Sequence, residues 1–133
     1  MIYLMDVDAL VSLTFKEHAL HERVANWLTT LSARDNVLAS SPITEIGVVR
    51  ILSLPVAANL SIQEAQAALA RVKSHSTIPF IFVPDELGAD QLPAWVVNSR
   101  QTTDGHLVAL AKAHGAMLAT LDRKIHGAFL IPA

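Results

Sequence analysis

The chain has no cysteine among its 133 residues. That excludes disulfides, thiolate metal sites and a cysteine nucleophile, and it agrees with a reducing compartment, so a cytoplasmic location is expected. Charge is sparse: 17% of residues are charged against 52% hydrophobic, with a mean hydropathy of +0.40. Either much of the chain is buried in a core or part of its apolar surface is covered by a partner. No apolar run approaches the roughly 18 residues that span a bilayer, so no membrane segment is expected. The opening Met1-Ile2-Tyr3-Leu4-Met5 has no basic leader and meets Asp6 at once, which argues against a signal peptide. A basic excess is also missing, since the net charge is −2. Contact with a nucleic acid would therefore need a local patch, helped by any bound divalent ion. Repeats, linkers and low-complexity segments are absent, and the length suits one domain over residues 1–133.

What is present is an alternation of short apolar runs and helical patterns. Residues 2–5 form a continuous apolar run of the kind a buried parallel strand produces. Residues 9–15 predict a helix, and residues 18–33 a second, with Leu20, Val24, Trp27, Leu28 and Leu31 at helical spacing. Residues 37–39 read as a strand. Ser41-Pro42 places a capping residue before a proline at the first helical position, opening a helix that stops near Pro55. Ser61-Ile62-Gln63-Glu64 is a capping box that starts another helix. Residues 80–83 read as a strand and 85–97 as partly helical, interrupted by Pro93. Thr102-Thr103-Asp104 opens a helix that Gly115 closes; residues 117–121 and 129–131 are the last strands. Strands alternating with helices predict an α/β fold, three layers around a mainly parallel sheet.

Most of the twelve acidic residues have ordinary positions in polar turns and helix faces. Others do not. Asp6 and Asp8 directly follow the first strand, and Asp122 directly follows the penultimate one. Open parallel sheets bind ligands beyond the carboxyl ends of their strands. Asp104 and Glu45 each fall in the first turn of a helix. Singly, Asp104 reads as a complement to the helix dipole, Asp122-Arg123 as a turn and Glu45 as a solvated helix residue. Asp6 is harder to explain this way, because its apolar surroundings make an unpaired carboxylate costly. If the acids converge they repel, and cations must neutralise them. Hard oxygen ligands select Mg²⁺ or Mn²⁺, ions that bind phosphate oxygens, activate water and stabilise a leaving oxygen.

Four blocks in order carry a family resemblance: Tyr3-Leu4-Met5-Asp6-Val7-Asp8-Ala9-Leu10; Ser41-Pro42-Ile43-Thr44-Glu45-Ile46 with Arg50; Thr102-Thr103-Asp104-Gly105-His106-Leu107-Val108-Ala109-Leu110-Ala111; and Leu118-Ala119-Thr120-Leu121-Asp122-Arg123. With them the chain resembles the PIN-domain family, and more narrowly the ribonuclease toxins of VapBC toxin–antitoxin pairs. The resemblance implies a PIN-like α/β/α fold. It implies an acidic metal site of Asp6, Glu45, Asp104 and Asp122, supported by the Thr120 hydroxyl. It further implies Mg²⁺- or Mn²⁺-dependent cleavage of structured RNA (tRNA or ribosomal RNA), a VapB-type antitoxin partner and a homodimer. Asp8 stands where the family usually carries Asn, and reads as an extra ligand or a carboxylate aimed at a backbone N–H. Gly105 replaces the usual Ala, at a helix cost of up to about 1 kcal/mol.

Arg50, Arg100, Arg123 and Lys124 are the basic residues nearest these blocks and are candidate RNA contacts, with solvated surface charge as the other reading. His18 and His21, three apart, read as an exposed helix face before they read as a metal pair. Trp27 and Trp95 read as core or interface anchors. Two further functions compete. A haloacid-dehalogenase-type phosphatase would use Asp6 as nucleophile and Asp8 for the proton, but Asp122 has no second Asp close behind it. A catalytically inactive PIN-like binding module would keep only a protein partner.

Overall fold

Five short strands lie side by side in the order β3-β2-β1-β4-β5, all parallel. They are β1 (Ile2–Met5), β2 (Val37–Ser40), β3 (Phe80–Phe82), β4 (Met117–Thr120) and β5 (Phe129–Leu130). The computed structural model describes all of residues 1–133. The helices are α1 (Val7–Thr14), α2 (His21–Thr29), α3 (Pro42–Ser53), α4 (Ile62–His75) and α5 (Thr102–Ala113).

Side chains alternate across the sheet, and each face has its own core. Met5, Leu38 and Ala119 face a cluster closed by α1 to α4, including Leu10, Val24, Val48, Leu52 and Leu69. Leu4, Ala39 and Leu118 face the other way, onto Leu107, Leu110 and Ala111 of α5. Three layers result, four helices on one side and one on the other, as the strand and helix patterning implies. Tyr3, Trp27 and Phe129 meet at ring distances of 5.0 to 5.5 Å, making Trp27 a core anchor. No helix is long and apolar enough to cross a membrane.

The helix starts behave as their sequences dictate. Ser41 and Thr44 exchange both capping-box bonds at the head of α3, and Ser61 and Glu64 do so at α4. Gly115 follows α5 with φ +65, the left-handed conformation expected of a closing glycine.

Two segments depart from expectation. The second helix covers nine residues rather than residues 18–33. His18 Nδ1 accepts the Leu20 N–H at 3.0 Å, turning the chain before the helix can begin. Residues 85–97 hold a single 3₁₀ turn, Ala89–Gln91. Pro84 and Pro93 deny backbone donors there, and Asp85 Oδ1 accepts the Leu87 N–H instead of a helical bond forming. This segment is fixed by side chains: Asp85 pairs with His106 of α5, and Val96 packs against Gly105. A Cβ on residue 105 would stand 2.2 Å from Val96 Cγ2, which explains glycine at that position.

The strand order also locates a crevice. Connections from β1 run outward to β2 and β3, then return to β4 on β1's other side. The carboxyl ends of β1 and β4 therefore meet at the topological switch point, where open α/β sheets bind their ligands.

Candidate active site

Asp6 is the first residue beyond β1 and the cap of α1. It is 7% exposed. Its Oδ1 accepts the Val7 N–H at 2.8 Å, and its Oδ2 accepts the Thr120 hydroxyl at 2.7 Å. Thr120, the last residue of β4, also accepts the Asp122 N–H at 3.0 Å. One buried hydroxyl thus links the ends of the two strands at the switch point.

Burial pushes the Asp6 carboxyl up to about 6; the bonds from Thr120 and Val7 oppose the rise, while the charges of Asp104 and Asp8 add to it. Asp104, in the first turn of α5, is also raised, first by burial and then by the charges of Asp122 and Asp8. Four aspartates from three parts of the chain, Asp6, Asp8, Asp104 and Asp122, therefore share one field. Asp8 is exposed on the first turn of α1, and Asp122 is exposed with its Oδ1 accepting the Lys124 N–H at 2.9 Å. No cationic side chain forms an ion pair with any of the four.

Glu45 is placed differently. Its Oε2 accepts the Ser40 hydroxyl at 2.5 Å and the Lys73 ammonium at 2.6 Å. Among the charges that raise Asp6 and Asp104, that of Glu45 is absent. It sits beyond the carboxyl end of β2, on the same edge of the sheet, held by its own cation.

As the side chains stand, no three acidic or histidine groups are close enough to hold a metal ion together. The donor set nevertheless has the chemistry of a hard divalent ion: carboxylate oxygens only, mutually repelling, one of them buried and reluctant to ionise. On that ground the residues fit Mg²⁺ or Mn²⁺.

Beside the aspartates lies a groove of about 570 Å³ lined by Asp8, His18, Leu20, Leu121, Asp122, Arg123 and Lys124. Two of the candidate basic contacts, Arg123 and Lys124, thus border the acids directly. Arg50 lines a different groove of about 420 Å³ with Val7, Ile43, Ile46 and Thr103. Arg100 is exposed in the 3₁₀ turn before α5. His18 and His21 both turn to Ser12, His18 Nδ1 lying 3.2 Å from its hydroxyl and His21 Nδ1 2.8 Å from its carbonyl oxygen, so they bind local polar groups rather than face each other as a metal pair.

No sequence signal marks the partners of Glu45. Lys73 looks like any basic residue near a helix C-terminus, and only the packing of α3 against α4 brings it to Glu45. Asp85, which directly follows Pro84, is a largely buried partner of His106. Burial raises Asp85, but the His106 and Leu87 hydrogen bonds and the charges of His106 and His114 outweigh it and hold the carboxyl below the usual range.

The PIN domain family model matches residues 3–128 of the chain. Ribonuclease VapC29 of Mycobacterium tuberculosis is 35% identical over 138 residues, which span 99% of this chain and 98% of the relative. Ribonuclease VapC39 of the same organism is 37% identical, over 92% of this chain and 89% of the relative. Among solved structures, VapBC2 from Rickettsia felis bound to a DNA fragment from their promoter superposes with a TM-score of 0.66 at 18% identity, over 98% of this chain and 97% of that one.

Proposed function

We propose, for a chain that belongs to the PIN-domain family and within it to the VapC ribonucleases, that it is the toxin of a toxin–antitoxin pair and hydrolyses phosphodiester bonds of structured RNA with Mg²⁺ or Mn²⁺. The observation that carries the metal requirement is the shared field of Asp6, Asp8, Asp104 and Asp122, with no cation of the chain paired to them. A divalent ion bound there supplies Lewis-acid polarisation of the phosphate and a water of lowered pKa.

Each side chain has a definite part. Asp6 is the fixed ligand, since Val7 and Thr120 hold both of its oxygens in place. Asp104 has no hydrogen bond to break and Asp122 would give up only a local turn, so both would be free to hold a bound ion. Glu45 would join them from the end of β2. Arg123 and Lys124 hold RNA phosphates along the groove next to Asp8 and Asp122. The substrate class of tRNA or ribosomal RNA follows from the family resemblance. The partner is an antitoxin of the VapB type, by likeness to the VapBC2 assembly. The exposed Ile43 and Ile46 of α3, the latter 69% exposed, offer an apolar face for a second copy.

The deciding experiment is cleavage of total RNA with and without Mg²⁺ or Mn²⁺, using the wild type, Asp6→Asn and Asp104→Asn. Metal-dependent cutting that both substitutions abolish is the expected result. Normal cutting by both variants would overturn the ligand assignment, and the absence of any cutting would favour a binding module without activity. A phosphatase would need Asp6 as a free nucleophile, whereas both of its oxygens are engaged; a trapped aspartyl-phosphate would restore that reading.

A further inference from the structure

Glu45, one of the proposed ligands, is held in an ion pair by Lys73, a residue to which the proposed reaction gives no part. Glu45 belongs to the first turn of α3 and Lys73 to the last turn of α4. Lys73 Nζ lies 2.6 Å from Glu45 Oε2 and 5.8 Å from the centre of the Phe82 ring. The Ser40 hydroxyl donates to that same oxygen. Both members are about one-quarter exposed, so the pair is partly withdrawn from water and the ammonium has no second carboxylate to turn to.

We propose that Lys73 is a positioning residue that competes with the divalent ion for Glu45, holding this carboxylate on the Ser40 side until an ion draws it toward Asp6 and Asp104. The inference rests on the metal-dependent reading above. An ammonium and a divalent ion cannot both take the full charge of one carboxylate, and each weakens the other's hold. Loading the site therefore loosens the Lys73 contact, and Lys73 lowers the affinity with which the ion binds. The exposed face of Phe82 gives the released ammonium a place to remain, through attraction to the ring.

The test is calorimetric titration of MnCl₂ into the purified protein without RNA, so that binding is read apart from activity. Lys73→Met is expected to bind Mn²⁺ about fivefold more tightly than the wild type, the scale of one partly exposed ion pair. Lys73→Arg, which keeps the charge, should restore wild-type affinity. With Glu45→Gln in the background, Lys73→Met should have little further effect. Lys73→Gln replaces Lys73→Met if the latter does not fold. Unchanged or weaker binding by Lys73→Met overturns the proposal, as does equal tightening with Gln at position 45, which would indicate a general field effect. Asp104→Asn separates the two readings. If it loses Mn²⁺ while Lys73→Met behaves as wild type, only the competition fails. If Asp104→Asn binds as the wild type does, the metal reading fails and takes the competition with it.

Discussion

Thr120 Oγ1 donates to Asp6 Oδ2 at 2.7 Å, joining two residues 114 positions apart. Thr120 is 1% exposed, and its hydroxyl also accepts the Asp122 N–H. Thr120→Val keeps the shape but leaves a buried carboxylate oxygen and a backbone N–H each short of a partner. A loss of about 1–3 kcal/mol is expected, read by urea unfolding at pH 7. Thr120→Ser keeps the donor and should lose less. If Val and Ser behave alike, the hydroxyl is not what stabilises this junction.

Stability should carry the mark of Asp6 as a function of pH. Its carboxyl titrates at the ordinary 3.8 when unfolded and at about 6 when folded. The folded state holds the proton more tightly between these values, so the Asp6 contribution to stability falls as pH rises from about 4 to about 6, by on the order of 3 kcal/mol in total. Asp104 shifts in the same direction. Asp85 acts oppositely: its carboxyl is held low, so its contribution is present above the ordinary carboxylate range and is lost as pH falls through its folded value. Asp6→Asn should therefore be more stable than the wild type at pH 7.5, with the difference shrinking toward pH 4.5. Urea unfolding of both proteins at the two pH values checks this.

On the metal reading proposed above, Mg²⁺ or Mn²⁺ should raise Tm, since the ion would bind the folded aspartates and not the unfolded chain. At a hundredfold excess over Kd the stabilisation is about 2.7 kcal/mol. Asp104→Asn should lose most of this shift, with a metal-free Tm at or above that of the wild type because its raised carboxyl is removed. A thermal scan with and without metal reads both.

Gly105→Ala brings a methyl group to within 2.2 Å of Val96 Cγ2. Overpacking of this kind costs about 1–3 kcal/mol, more than alanine gains in helix propensity. Val96→Ala in the same chain should recover much of the loss, and the double-mutant cycle in urea gives the coupling directly.

The parts of the site that were legible in the sequence are those fixed by the nearest few residues. Asp6 and Asp122 are placed by the strands that end just before them, and Asp104 by the helix start it belongs to. The capping boxes at Ser41 and Ser61 and the closing glycine at 115 are equally local. What could not be read depends on elements meeting across space. Nothing near Glu45 announces that Lys73, 28 residues on, will claim it. Gly105 looks like a weak point in a helix until Val96 occupies the space of its missing side chain. Apolar spacing in residues 18–33 suggests one long helix, but the Leu20 N–H bonds to His18 Nδ1 and the helix covers only His21–Thr29.

The strand order has a consequence for how this protein comes into being. Asp6 and Asp8 belong to the opening residues, Asp104 and Asp122 to the closing thirty, and only the docking of β4 beside β1 unites them. A nascent chain interrupted anywhere before Asp104 carries at most two of the four aspartates. On the metal reading proposed above, such a fragment would lack the charge density that recruits an ion, and it is expected to leave RNA intact.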